Sequence, residues 1–117
     1  MTDTVTIYHN PQCSKSRQTL ELLEGEGVVP KVVKYLEAPP DAATLNSLLN
    51  MLNLEPRELM RKGEAEYTDL NLSNPALSRE QLIVIMVEYP RLIERPIVVK
   101  DGKAIIGRPP EKVLELL

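Results

Sequence analysis

The sequence predicts an α/β fold in which a mixed four-stranded sheet is divided by a helical insert. Three observations carry that expectation. Near the start, an alternating apolar stretch leads through a turn into a helical pattern and then a second short apolar run. The middle of the chain, about 41–88, places leucines and isoleucines at helical spacing. Near the end, two apolar runs flank an Asp-Gly pair, a strong hairpin signal.

Each element can be justified in order. In Thr4–Tyr8, Val5 and Ile7 share one face, as the two-residue period of a strand requires. His9, Asn10, Pro11 and Gln12 are turn residues. From Cys13 onward, S-K-S-R-Q-T-L-E-L-L-E reads as a helix that stops near Gly25 and Gly27. Lys31–Leu36 reads as a second strand, completing a βαβ start. Pro39-Pro40 breaks the pattern. Asp41 then offers an N-cap to a helix whose Leu45, Leu48, Leu49 and Leu52 form one face, a stripe better explained by core packing than by partner binding. Pro56 opens a short helix through Leu59 and Arg61, and Ser78 with Gln81 forms a capping box ahead of Leu82, Ile83, Ile85 and Met86. Ile97–Val99 and Ala104–Ile106 are the hairpin strands. Pro109-Pro110 begins a last helix, with Val113, Leu114 and Leu117 expected to face inward. The order β-α-β, helical insert, β-β-α matches a thioredoxin-like sheet.

Composition narrows the function. The 117 residues are the size of one ordinary domain, and 43% hydrophobic residues can build a core without staples. A single Cys excludes an internal disulfide, and one Cys with one His excludes a structural zinc site, so no metal is expected. Met1 to Tyr8 has no basic stretch followed by an apolar run, and no segment approaches a bilayer span. A cytoplasmic protein with no membrane role is expected. The net charge of −3 and the absence of Phe and Trp argue against nucleic-acid binding.

Cys13 is the sharpest feature. At a strand-to-helix turn, its thiol faces free backbone N–H groups and the positive end of the helix, which favour the thiolate. Lys15, Arg17 and His9 lie close in sequence and add positive potential. A lone Cys is commonly a small buried hydrophobe, but the polar surroundings here favour a reactive thiol. Cys13 to Arg17 is C-x-x-x-R, too short for the phosphate loop of cysteine phosphatases. Cys13 to Ser16 is C-x-x-S, so any resolving thiol must come from another molecule. His9 reads equally as an assistant to Cys13 or as a turn residue.

Arginine suits tetrahedral oxyanions through its planar fork of donors. Arg95 and Arg108, each beside proline at a strand end, favour that role. Arg61, judged alone, reads as a solvated charge, as do Arg57, Arg79 and Arg91 on helix faces. Pro96 is expected to be cis, because thioredoxin-like sheets use a cis proline at this point.

Together, Tyr8–Arg17, Glu94–Val99 and Ile106–Pro110 resemble the glutaredoxin-dependent arsenate reductase family, in its short bacterial arsenate-reductase-like branch. Longer members carry a C-terminal extension beyond the position of Leu117. The resemblance implies an enzyme that reduces arsenate to arsenite. Cys13 matches the nucleophile that attacks arsenic, and Arg61, Arg95 and Arg108 match an arginine triad that holds the oxyanion. His9 matches a histidine that helps hold the thiolate, and Ser16 matches a serine near the cysteine. Ser14, Lys15, Arg17 and Pro96 are expected to support the site. The implied co-substrate is glutathione, with glutaredoxin resolving the mixed disulfide, no bound cofactor and a monomeric enzyme. Two alternatives remain. One is a redox-responsive regulator of the branch that binds RNA polymerase, whose members carry C-x-x-C. The other is a monothiol-glutaredoxin-like thiol transferase, which would lack the helical insert.

Overall fold

The computed structural model describes residues 4–117; Met1–Asp3, part of the stretch read for a leader, lie outside the described residues. Two compact units are present. Pro39–Glu94 forms one, and the segments on either side of it, up to Ala38 and from Arg95 to Leu117, form the other.

The sheet unit contains strands β1 (Val5–His9), β2 (Lys31–Lys34), β3 (Ile97–Lys100) and β4 (Lys103–Ile106), and helix α1 (Ser14–Gly25). The strand order is β2-β1-β3-β4, with β1 parallel to β2 and antiparallel to β3, and β3 antiparallel to β4. This is the mixed, thioredoxin-like sheet expected from the sequence. The apolar alternation of β1 does its work here: Val5 and Ile7 are buried with Leu23, Val98 and Val113, and Leu20, Val28, Ile105 and Leu116 pack at the margin. Burying each such aliphatic side chain contributes about 1.5–3 kcal/mol, so this cluster fixes α1 and the C-terminal segment against the sheet. Asp101 and Gly102 both take positive φ, 53° and 74°, closing the two-residue hairpin the Asp-Gly pair predicts.

The C-terminal segment differs from expectation. Pro110–Leu116 is a 3-10 helix, not an α-helix. Its three-residue period puts Pro110 and Val113 inward and leaves Leu114 and Leu117 about 40% exposed. Reading the segment with an α-helical period selected Leu114 and Leu117 in place of Leu116.

The helical unit holds α2 (Ala42–Leu52), α3 (Pro56–Leu59), α4 (Ala65–Asp69), α5 (Arg79–Glu88) and a 3-10 turn, Pro90–Leu92. Asp41 caps α2 by accepting from the Thr44 amide at 2.8 Å. Ser78 and Gln81 form the expected box on α5. Leu45, Leu48, Leu49, Leu82, Ile83 and Met86 are buried and Leu52 is half-buried, so the leucine stripe packs in the core with Leu52 at its margin.

Two arginines read as solvated are anchors instead. Arg57 donates to the carbonyls of Leu72 at 2.9 Å and Asn74 at 2.6 Å. Arg79 donates to Asn46 and Asn50 and pairs with Glu55 at 3.2 Å. Loop carbonyls far away in sequence need donors with reach, and no local pattern announces them. Arg91 is well exposed, yet it pairs with Glu64 at 2.9 Å.

Candidate active site

Cys13 sits between β1 and α1 as the N-cap of α1. The turn that delivers it is pinned three ways. The Cys13 amide donates to the Asn10 carbonyl at 3.0 Å, and the Gln12 amide donates to Asn10 Oδ1 at 2.9 Å. The Arg17 guanidinium donates back to the Pro11 carbonyl at 2.9 Å. Asn and Pro are turn residues because their side chains or rings replace or restrict backbone choices.

Ser16 is fully buried beneath this turn. Its Oγ accepts from the Asn10 amide at 3.0 Å and shares a proton with His9 Nδ1 at 2.6 Å. His9 is buried as well. Its pKa is lowered by burial and by the charges of Lys34 and Arg17, so its ring is neutral at pH 7. A buried serine bonded to both strand end and turn needs no second cysteine, so C-x-x-S here fastens the helix start to β1.

Three positive influences converge on the sulfur, which is half-buried. Burial pushes the thiol pKa up. The Ser16 amide, the Arg95 side chain and the Lys15 amide outweigh it, and the net shift is downward. The amides and the Arg95 side chain act by hydrogen bonding toward the sulfur, and Arg95 adds its charge. Arg108 Nη2 lies 3.6 Å from Sγ.

Arg95 and Arg108 are themselves joined, since Arg108 Nε donates to the Arg95 carbonyl at 2.8 Å. The Arg95–Pro96 bond is cis, as expected, and so is Arg108–Pro109. Burial lowers the Arg95 pKa, but Cys13 and Tyr35 beside its guanidinium raise it further, so it stays charged. The sheet unit thus brings together Cys13, Arg95 and Arg108, with His9, Ser16 and Arg17 holding the turn. Lys15 and Ser14 lie in the exposed first turn of α1, and the Lys15 contribution comes from its amide.

Arg61 belongs to the helical unit. Its amide donates to the Leu92 carbonyl at 2.7 Å, and its Nε lies 3.7 Å from Glu64. Its Nη1 is buried without a hydrogen-bond partner. Among the described residues, no cluster of three or more His, Cys, Asp or Glu is placed to hold a metal ion.

Three positions were missed in the sequence. Tyr35, buried beside Arg95, sits just past β2. Thr19 is buried on α1 and donates to the Lys15 carbonyl at 2.8 Å. Gly107 lies where a Cβ would come 2.6 Å from Thr19 Oγ1 and 2.9 Å from Pro96 Cγ. The Gly107-Arg108 pair was the available signal, because a glycine before a functional residue often marks close approach. Gly107→Ala is expected to destabilise by about 1–3 kcal/mol, as overpacking does. It should also slow Cys13 alkylation, by displacing the strand end that carries Arg108. Urea unfolding and alkylation rates measure the two effects.

This geometry sets a thiol whose ionisation is favoured between guanidinium groups and helix amides, able to accept an anionic electrophile. The ArsC family model matches residues 8–116. The chain belongs to the ArsC family. It is 45% identical over 114 residues to an arsenate reductase of Neisseria meningitidis, covering 97% of both chains. It is 60% identical over 118 residues to the Escherichia coli protein YfgD, which is uncharacterised, covering 100% of this chain and 99% of that one. The solved structure of an arsenate reductase from Vibrio cholerae superposes with a TM-score of 0.96 at 52% identity, over 100% of each chain. Among the described residues, no helix of this ArsC family member is long and apolar enough to cross a membrane.

Proposed function

We propose that this ArsC family protein reduces arsenate to arsenite in the cytoplasm, using Cys13 as nucleophile, glutathione as co-substrate and glutaredoxin as resolving partner. The observation that carries the reading is Arg108 Nη2 at 3.6 Å from Cys13 Sγ, with Arg95 facing the same sulfur. Thiolate and arsenate are both anions. Attack requires fixed positive charge where they meet, and guanidinium forks supply it without reorganisation. The Cys13 thiolate attacks arsenic and displaces one oxygen, which leaves protonated. Arg95 and Arg108 hold the remaining oxygens. A glutathione thiolate then attacks the adduct. The S–As bond breaks with its electron pair left on arsenic, which passes from As(V) to As(III). Cys13 and glutathione remain joined as a disulfide, and a glutaredoxin thiolate takes the glutathione and frees Cys13.

The single cysteine supports an external thiol, because no second thiol in this chain can resolve the adduct. The test is turnover by the purified protein with arsenate, glutathione and glutaredoxin, followed through NADPH and glutathione reductase. Arsenate-dependent oxidation is expected. Reduction of low-molecular-weight disulfides without arsenate turnover would make it a thiol transferase. Stable binding of RNA polymerase without turnover would make it a regulator.

A further inference from the structure

The turn before Cys13 borders a cleft of about 280 Å³, lined by His9, Asn10, Pro11, Gln12, Lys34, Leu36 and Glu37. One wall is the turn that leads into Cys13, ending at Gln12, its neighbour in the chain. The opposite wall is the end of β2. Parallel pairing sets Lys34 level with His9, and the Lys34 charge is felt at the imidazole. The Glu37 amide folds back onto the Lys34 carbonyl at 3.0 Å, which brings that turn over the cleft.

The lining combines three kinds of surface. Lys34 is an exposed cation and Glu37 an exposed anion, and among the described residues neither side chain is held in an ion pair. Leu36 and Pro11 supply apolar surface between them. Two opposite charges three residues apart on one small cleft suit a ligand that carries both signs. A volume near 300 Å³ sits at the lower limit of small-molecule sites, about the size of a short peptide.

We infer that this cleft is the docking subsite of the thiol co-substrate: a γ-glutamyl peptide thiol whose zwitterionic head lies between Lys34 and Glu37. Lys34 takes the α-carboxylate and Glu37 the α-ammonium, while Leu36 and Pro11 cover the methylenes. The cysteinyl sulfur is thereby led along Gln12 to the Cys13 adduct. The inference rests on the reading of Cys13 as the residue that glutathione relieves, and it adds no step to that exchange.

S-methylglutathione, an unreactive thioether, is the probe for binding. In an ¹⁵N-resolved NMR titration, amide shifts are expected at Asn10, Gln12, Lys34 and Glu37. Lys34→Glu should weaken binding about tenfold, Lys34→Arg should retain it, and Glu37→Gln should weaken it less. In turnover, Lys34→Glu should raise the KM for glutathione about tenfold. The KM for arsenate, and the rate with uncharged dithiothreitol as reductant, should stay unchanged. Shifts that map elsewhere, or wild-type binding by Lys34→Glu, overturn the subsite. Mapped binding without arsenate turnover would sink the arsenate reading and leave the subsite standing. Glutathione-driven turnover indifferent to Lys34 would do the reverse.

Discussion

Cys13→Ser is expected to lose arsenate turnover by about 10⁴-fold or more, because a serine hydroxyl at this position has no base to deprotonate it. His9, the nearest imidazole, is neutral but directed into the buried Ser16 Oγ at 2.6 Å, so its Nδ1 is committed to the turn. The thiol needs no base because its surroundings already favour the anion. Burial opposes ionisation, but the Ser16 amide, Arg95 and the Lys15 amide prevail and the pKa falls. The sign follows directly: the thiolate persists to lower pH than it would without these groups. Iodoacetamide alkylation against pH should therefore show a midpoint below that of free cysteine. Ser16→Ala should raise the midpoint, since it releases the turn that sets the Ser16 amide. A wild-type midpoint at or above that of free cysteine would contradict the electrostatics described here.

How much of this was legible in the sequence depends on whether the signal was local. The Cys13 turn, the Asp41 cap, the Ser78 box and the Asp101-Gly102 hairpin each announce themselves within four residues, and each is found. The apolar period of β1 fixes which face of the sheet is buried. The contacts that organise the site connect residues far apart in the chain. Arg108 reaches Cys13 across 95 positions, and nothing beside Arg108 says where its fork points. The family resemblance supplied that pairing, whereas spacing alone supplied only prolines beside arginines. Tyr35 behind Arg95 and the Arg57 grip on loop carbonyls gave no local cue at all. The 3-10 character of Pro110–Leu116 was also hidden, because its apolar residues fit both helical periods until burial separates them.

Arg95→Ala and Arg108→Ala are each expected to lower kcat/KM for arsenate by about 30- to 1,000-fold, while Lys112→Ala leaves it near wild type. Each substitution removes one charge-assisted contact to developing negative charge, worth about 2–4 kcal/mol of transition-state stabilisation. The two arginines should separate in a second measurement. Arg95 lowers the thiol pKa through its side chain and its charge, so Arg95→Ala should shift the alkylation midpoint upward as well as slow turnover. Arg108 spans two partners at once, the Arg95 carbonyl through Nε and the sulfur through Nη2. A lysine keeps the charge but has one nitrogen in place of a fork, so Arg108→Lys must give up one partner and should rescue poorly. Arg91 is unsuitable as the control, because it shares the Glu64 carboxylate with Arg61. Lys112 lies exposed on the C-terminal 3-10 helix and matches the lost charge without touching the thiol. Each variant is compared after urea unfolding confirms a wild-type midpoint. Wild-type kcat/KM in both alanine variants would place the oxyanion elsewhere and end the mechanism.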